Sequence, residues 1–245
     1  MLTVSKLYSF TRALMVVGIC SILSSCVRPP ESPRPETMPR TPESLPTQCL
    51  LPDAQAGEQL LAFDADRSML QIYAYRDGRL GRLGHNHVIS SSELWGYVRL
   101  AGSIRESGFA LCLPVDTLVV DDPGLRAAAG EQFDNPLSEA AVAGTRRNML
   151  SEKLLDQRAH PYLVIEGRGL QQTDNTVSIQ LSITVKGRTH RQNSSAEISL
   201  DSNGIQVSGM MKIRQTDLGL EPYSALFGTL KVRDELEIRY LLHTR

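Results

Sequence analysis

Val177-Ser178-Ile179-Gln180-Leu181-Ser182-Ile183-Thr184-Val185-Lys186 alternates apolar and polar side chains without a break. On an extended strand, neighbouring side chains point to opposite faces, so this stretch has one aliphatic face and one polar face. The aliphatic face must be covered. Leu236, Ile238, Tyr240 and Leu242 form a second such set, and Ile205, Val207, Met211 and Ile213 a third. Gly209 interrupts the third set, which predicts a bulge or a close approach of another group. Leu70-Ile72-Ala74, Leu94-Gly96-Val98-Leu100 and Phe109-Leu111-Leu113 add shorter sets, and Tyr162-Leu163-Val164-Ile165 is a short apolar run. Turn residues such as Asp201-Ser202-Asn203-Gly204 separate them, as in an antiparallel meander. Long strands with one apolar face either pack as two sheets or close into a barrel.

One stretch departs from period two. Asn135 and Pro136 read as an N-cap and a first helical residue. Ala140, Ala141, Ala143, Met149, Leu150, Leu154 and Leu155 follow at helical spacing, predicting helical segments between 136 and 157. The fold class expected is therefore all-β with a helical insertion.

The N-terminal part has a different character. Lys6 and Arg12 precede a short apolar run from Ala13 to Leu23, the charge and hydropathy of a signal peptide. That run falls short of the ~20 residues a membrane-spanning helix needs. It ends in Leu23-Ser24-Ser25-Cys26, which resembles the lipobox of bacterial lipoproteins. The resemblance implies cleavage before Cys26 and acylation, palmitate included, of that cysteine. Val27, where an aspartate would retain a lipoprotein at the inner membrane, implies sorting to the outer membrane, facing the periplasm. Residues 27–58 are rich in proline, with Glu, Arg, Ser and Thr between, and read as a linker that favours extended polyproline II. At ~3.1 Å per residue its part from Val27 to Pro52 reaches about 80 Å from the anchor. The organisation expected is a signal peptide with the lipobox cysteine over 1–26, a linker over 27–58 and one domain over 59–245.

Of four cysteines, export removes Cys20 and lipidation uses Cys26. Cys49 and Cys112 remain as a candidate disulfide in an oxidising compartment, although Cys112 reads equally as a buried thiol. The formal net charge of −1, with no basic run, argues against a nucleic-acid surface.

The domain resembles the YceI-like family from about Phe63 to Leu242. Four elements carry the likeness, in order along the chain. They are the opening Phe63-Asp64-Ala65-Asp66 before a first strand, and Met149 to Asp156 followed by His160-Pro161-Tyr162-Leu163-Val164-Ile165. The hairpin from Leu181 to Gln192 and the turn Gln215-Thr216-Asp217-Leu218-Gly219 complete the set. The resemblance implies an extended, antiparallel, lipocalin-like β-barrel whose apolar lumen holds a long polyisoprenoid-type lipid. Ile72, Ile179, Leu181, Ile183, Leu236, Ile238 and Tyr240 are the residues expected to line that lumen.

Gly84-His85-Asn86-His87 supports a competing function. If extended, His85 and His87 share a face at about 7 Å, a span one metal bridges, with His160, His190 or Asp64 as third ligand. A hydrogen-bonded pair at the barrel rim is the plainer reading. No Gly-x-Ser-x-Gly, His-Glu-x-x-His, Walker loop, dinucleotide fingerprint or Cys-x-x-Cys occurs, so neither an enzyme nor a cofactor is expected. Asp121-Asp122-Pro123-Gly124 reads as a turn. A passive envelope scaffold with a filled barrel is the remaining alternative.

Overall fold

The structure is a computed structural model, and it describes residues 45–91, 93–201 and 204–245. The signal peptide, Cys26 and most of the linker lie outside the described residues. No helix among those described is long and apolar enough to cross a membrane.

Among the described residues, twelve strands and two α-helices follow in chain order. They are β1 (Gln59–Ala62), β2 (Met69–Asp77), β3 (His87–Ser91), β4 (Trp95–Leu100), β5 (Gly108–Pro114) and β6 (Val119–Val120), then α1 (Pro123–Ala128) and α2 (Glu139–Leu150). β7 (Tyr162–Thr173), β8 (Thr176–Val185), β9 (Arg188–Asp201), β10 (Gly204–Arg214), β11 (Ser224–Ala225) and β12 (Leu230–His243) complete the chain. Among the described residues, all twelve strands belong to one antiparallel sheet in the order β1-β4-β5-β7-β8-β9-β10-β12-β2-β3-β6, with β11 added to β12.

The sheet curls on itself because its two ends are stitched back. At one end Phe63 bridges Thr244, and Asp64 N–H donates to His243 O at 2.8 Å, which ties the end of β1 to the end of β12. At the other, β5 turns through Val115–Thr117 into β6, and Val119 and Val120 pair with Ser90 and Ile89 of β3. The result is the all-β barrel with a helical insertion that the sequence predicts.

Strand β8 shows the expected alternation: Val177, Ile179, Leu181, Ile183 and Val185 are all buried, and the intervening residues are not. β10 needs no bulge at Gly209, since its register with β12 is continuous. A close approach explains the glycine instead, because the Tyr240 ring lies where a Cβ would stand. The inward faces of β2, β5, β7, β8, β10 and β12 form one apolar cluster. A smaller cluster of Tyr73, Val88 and Phe133 sits apart, with Leu125 of α1 and Ala129 just past its end packed on it and Tyr73 edge-on to Phe133 at 5.6 Å.

The helical region differs from the expectation. α2 begins at Glu139, with Ser138 rather than Asn135 as N-cap, its side chain accepting from Ala141 N–H. Asp122 caps the short α1, whose first residue is Pro123, so Asp121-Asp122-Pro123-Gly124 starts a helix and is not simply a turn. Beyond Leu150 the chain folds into turns, with Leu155 N–H donating to Met149 O, so Leu154 and Leu155 reach the core without continuing the helix.

Candidate functional site: an apolar barrel cavity

Inside the barrel lies a cavity of about 630 Å³. This falls within the ~300–1,000 Å³ typical of pockets that enclose one small organic ligand. Ile72, Ile179, Leu181, Ile183, Leu236, Ile238 and Tyr240 all line it. Their convergence follows from register. Ile72 pairs with Ile238, Ile238 with Met211, and Ile183 with Ile165, so the inward face runs on across β2, β12 and β10, and again across β8 and β7.

The walls are also unusual in what they lack. None of the lining residues is Asp, Glu, Lys or Arg, and His87 is the single imidazole. Isolated polar side chains are Ser107, Thr145, Asn148, Gln172, Ser194, Gln215, Tyr223 and Tyr240. Gln215 is buried and donates from Nε2 to Arg233 O at 2.9 Å, so its amide is partly engaged already. Burial pushes the Tyr240 hydroxyl pKa up, against a lowering contact from Ser194. Thr145 and Asn148 come from α2, which covers part of the cavity. A ligand entering these walls meets dispersion and hydrophobic contacts almost throughout.

His87 belongs to a buried polar knot behind the wall. Its Nδ1 lies 2.6 Å from Asp121 Oδ2. Asp121 Oδ1 accepts from Val88 N–H at 3.0 Å and from Arg126 Nη1 at 2.7 Å. Arg126, itself buried, also donates to the carbonyls of Asn86, Phe133 and Asn135. Asn86 accepts from Arg76 N–H and donates to Gln132 O. Burial pushes the Asp121 carboxyl up, but the His87, Val88 and Arg126 contacts together outweigh it and hold the pKa below the ordinary carboxylate value.

This knot engages one of the two histidines on which the metal reading rests. β3 starts at His87, so His85 precedes the strand and the two-residue alternation that would align the pair does not apply. His87 is committed to Asp121 instead. His160 packs against Gly187, His190 sits on β9 opposite Ile183, and Asp64 lies at the β1–β12 stitch. Among the described residues no three His, Cys, Asp or Glu side chains gather around a metal position. Asp121 and Arg126 are the functional-site residues that sequence reasoning missed. In sequence the stretch Asp121-Asp122-Pro123-Gly124 reads as a turn, and a pairing with His87, 34 residues away, leaves no local signal.

Cys49 and Cys112 form a disulfide with Cα atoms 5.9 Å apart. It fastens the turn Thr47–Cys49 to β5, beside Trp95 on β4.

No family model matches the chain, and no curated protein matches it. Solved structures do. The chain is similar to BcnA of Burkholderia cenocepacia, with a TM-score of 0.55 at 10% identity over 74% of this chain and 98% of that one. It is also similar to the YCEI protein of Campylobacter jejuni, with a TM-score of 0.46 at 9% identity over 64% of this chain and 84% of that one. At such identity the likeness to BcnA shows fold alone, that of the antiparallel β-barrel described above.

Proposed function

We propose that this protein is a lipid-anchored envelope protein that holds one long apolar lipid, of polyisoprenoid type, in its barrel. The observation that carries the reading is a barrel cavity of about 630 Å³ whose lining has no Asp, Glu, Lys or Arg. Each methylene moved from water into such walls gains about 0.8 kcal/mol, whereas a charged or strongly hydrated ligand finds nothing to replace its water. The anchor is Cys26, the proline-rich stretch is its tether, and the site of action is the periplasmic face of the outer membrane. We assign no catalytic step: His87 has an acidic partner, but among the described residues no hydroxyl or thiol nucleophile is hydrogen-bonded to it.

Titration of the lipid-free protein with a long-chain prenyl alcohol, followed by native mass spectrometry, tests the reading. Saturation at one lipid per chain is expected, together with loss of binding in Leu181→Lys. Failure of the folded wild-type protein to take up the alcohol or any other long-chain lipid overturns it.

A further inference from the structure

Two loops at one end of the barrel are tied together. Leu80 N–H donates to Thr229 O at 2.8 Å, and Gly78 leaves room for the same carbonyl, which a Cβ there would strike. The first loop, residues 78–86 between β2 and β3, carries Arg79, Arg82 and Leu83, all exposed. The second, residues 226–229 ahead of β12, carries Leu226 and Phe227. Leu83 is 61% exposed, Leu226 57% and Phe227 fully exposed. Leu226, Phe227 and Gly228 stand in sequence at φ of 52°, 56° and 83°. Two bulky L-residues in the left-handed region cost free energy, which the fold spends here to hold a leucine and a phenylalanine out in solvent.

The tip adjoins the cavity. Tyr223 lines the cavity and is itself 46% exposed, and its carbonyl accepts from Val232 N–H of β12, another lining residue. Neither loop contains an acidic residue, and Asp77 at the start of the first is paired with Lys231 at 3.5 Å. The tip therefore combines apolar side chains with two arginines, Arg79 and Arg82, that make no ion pair among the described residues. At the other end of the cavity Leu200 is exposed singly, which is ordinary for a surface leucine.

We infer that Leu83, Leu226 and Phe227 form a docking tip that inserts into the surface of an anionic phospholipid bilayer, with Arg79 and Arg82 at the headgroups, and so brings the cavity mouth against the membrane. The inference rests on the lipid-binding reading for its purpose. A long-chain lipid leaving a bilayer through water would expose every methylene, so loading is favourable only where mouth and membrane meet. Basic residues beside an anionic surface strengthen the contact by about fivefold each. A soluble partner protein would explain the exposed apolar groups, but not their placement next to Tyr223, which lines the lipid-sized cavity and is itself exposed, and beside two arginines.

The test uses the full lipidated chain in vesicles of phosphatidylethanolamine and phosphatidylglycerol with brominated acyl chains, which quench a tryptophan that enters the bilayer. The sequence has a single tryptophan, Trp95, so the wild type reports a site on β4 and the pair Trp95→Phe with Phe227→Trp reports the tip. Quenching is expected at position 227 and not at Trp95, falling in the further double change Arg79→Gln and Arg82→Gln. In an otherwise wild-type chain, Leu226→Ser with Phe227→Ser should slow lipid transfer between vesicles by about tenfold or more, leaving the lipid content of the purified protein unchanged. No quenching at 227, or equal quenching at both positions, overturns the docking tip, even if lipid is bound. So does self-association or capture of a protein partner that depends on Phe227 without quenching. Quenching at 227 in a chain that never carries lipid upholds the tip and removes the cavity reading instead.

Discussion

His87 Nδ1 meets Asp121 Oδ2 at 2.6 Å across the seam where β3 pairs with β6. Because a carboxylate only accepts, Nδ1 is the protonated nitrogen, and the ring is held by a residue whose side chain is fully buried. Asp121 extends the ladder with both backbone and side chain: its N–H donates to Val88 O and its Oδ1 accepts from Val88 N–H. Arg126 supplies the balancing charge. The knot thus joins the sheet edge to α1 and fixes the His87 imidazole in a largely apolar wall.

We predict that Asp121→Ala destabilises the fold by about 3–5 kcal/mol, because it leaves the buried Arg126 guanidinium without its counter-charge. Urea unfolding followed by circular dichroism reads this as a lower midpoint. An unchanged midpoint would show that the pair holds nothing together.

Acid should act through the same residue. The Asp121 pKa is lower folded than unfolded, so its contribution is fully present above the unfolded value of ~3.9 and disappears as pH falls through the folded value. We expect wild-type stability to drop below about pH 4, and Asp121→Asn to be less stable at neutral pH but flatter with acid. Parallel pH slopes for the two proteins would contradict the assignment.

The Cys49–Cys112 bridge spans 63 residues. In the chain-entropy model a loop of that length contributes about 4 kcal/mol. Peptide mapping without reductant should recover the pair linked, and Cys49→Ala with Cys112→Ala should lower the unfolding midpoint accordingly. Free thiols at both positions in protein taken from the periplasm would refute the bridge.

Cys26→Ser is expected to release the protein from membrane fractions while the barrel still folds, since anchor and barrel are separated by the proline-rich stretch. Persistence on the membrane after a carbonate wash would rule out Cys26 as the anchor. The docking tip alone is too small to resist that treatment.

The strands that carry strict alternation were legible because burial on one face imposes period two, as at β8 and β12. Others were less so. β9 was not legible as a strand from periodicity, since its inward positions include Ser194 and Ala196, too small or polar to mark a face. β7 runs to Thr173, well past the apolar Tyr162-Leu163-Val164-Ile165, because Gly167 gives space to the Phe109 ring and breaks the hydrophobic run. Leu154 and Leu155 kept helical spacing yet fold as turns, where capping by Ser151 and a left-handed Asp156 stop the helix. All seven expected lining residues face the cavity because strand register is set by the same alternation. The His87–Asp121–Arg126 knot was hidden, since long-range polar pairs leave no periodic trace.

The central claim is that the barrel encloses a lipid, and mass spectrometry of the organic extract of gently purified protein tests it most directly. One long-chain isoprenoid lipid per wild-type chain is predicted, absent from Ile183→Phe, which fills the cavity without adding charge and should leave stability nearly unchanged. A wild-type extract free of apolar ligand, with Ile183→Phe destabilised by the ~1–3 kcal/mol that overpacking a solid core costs, would contradict it.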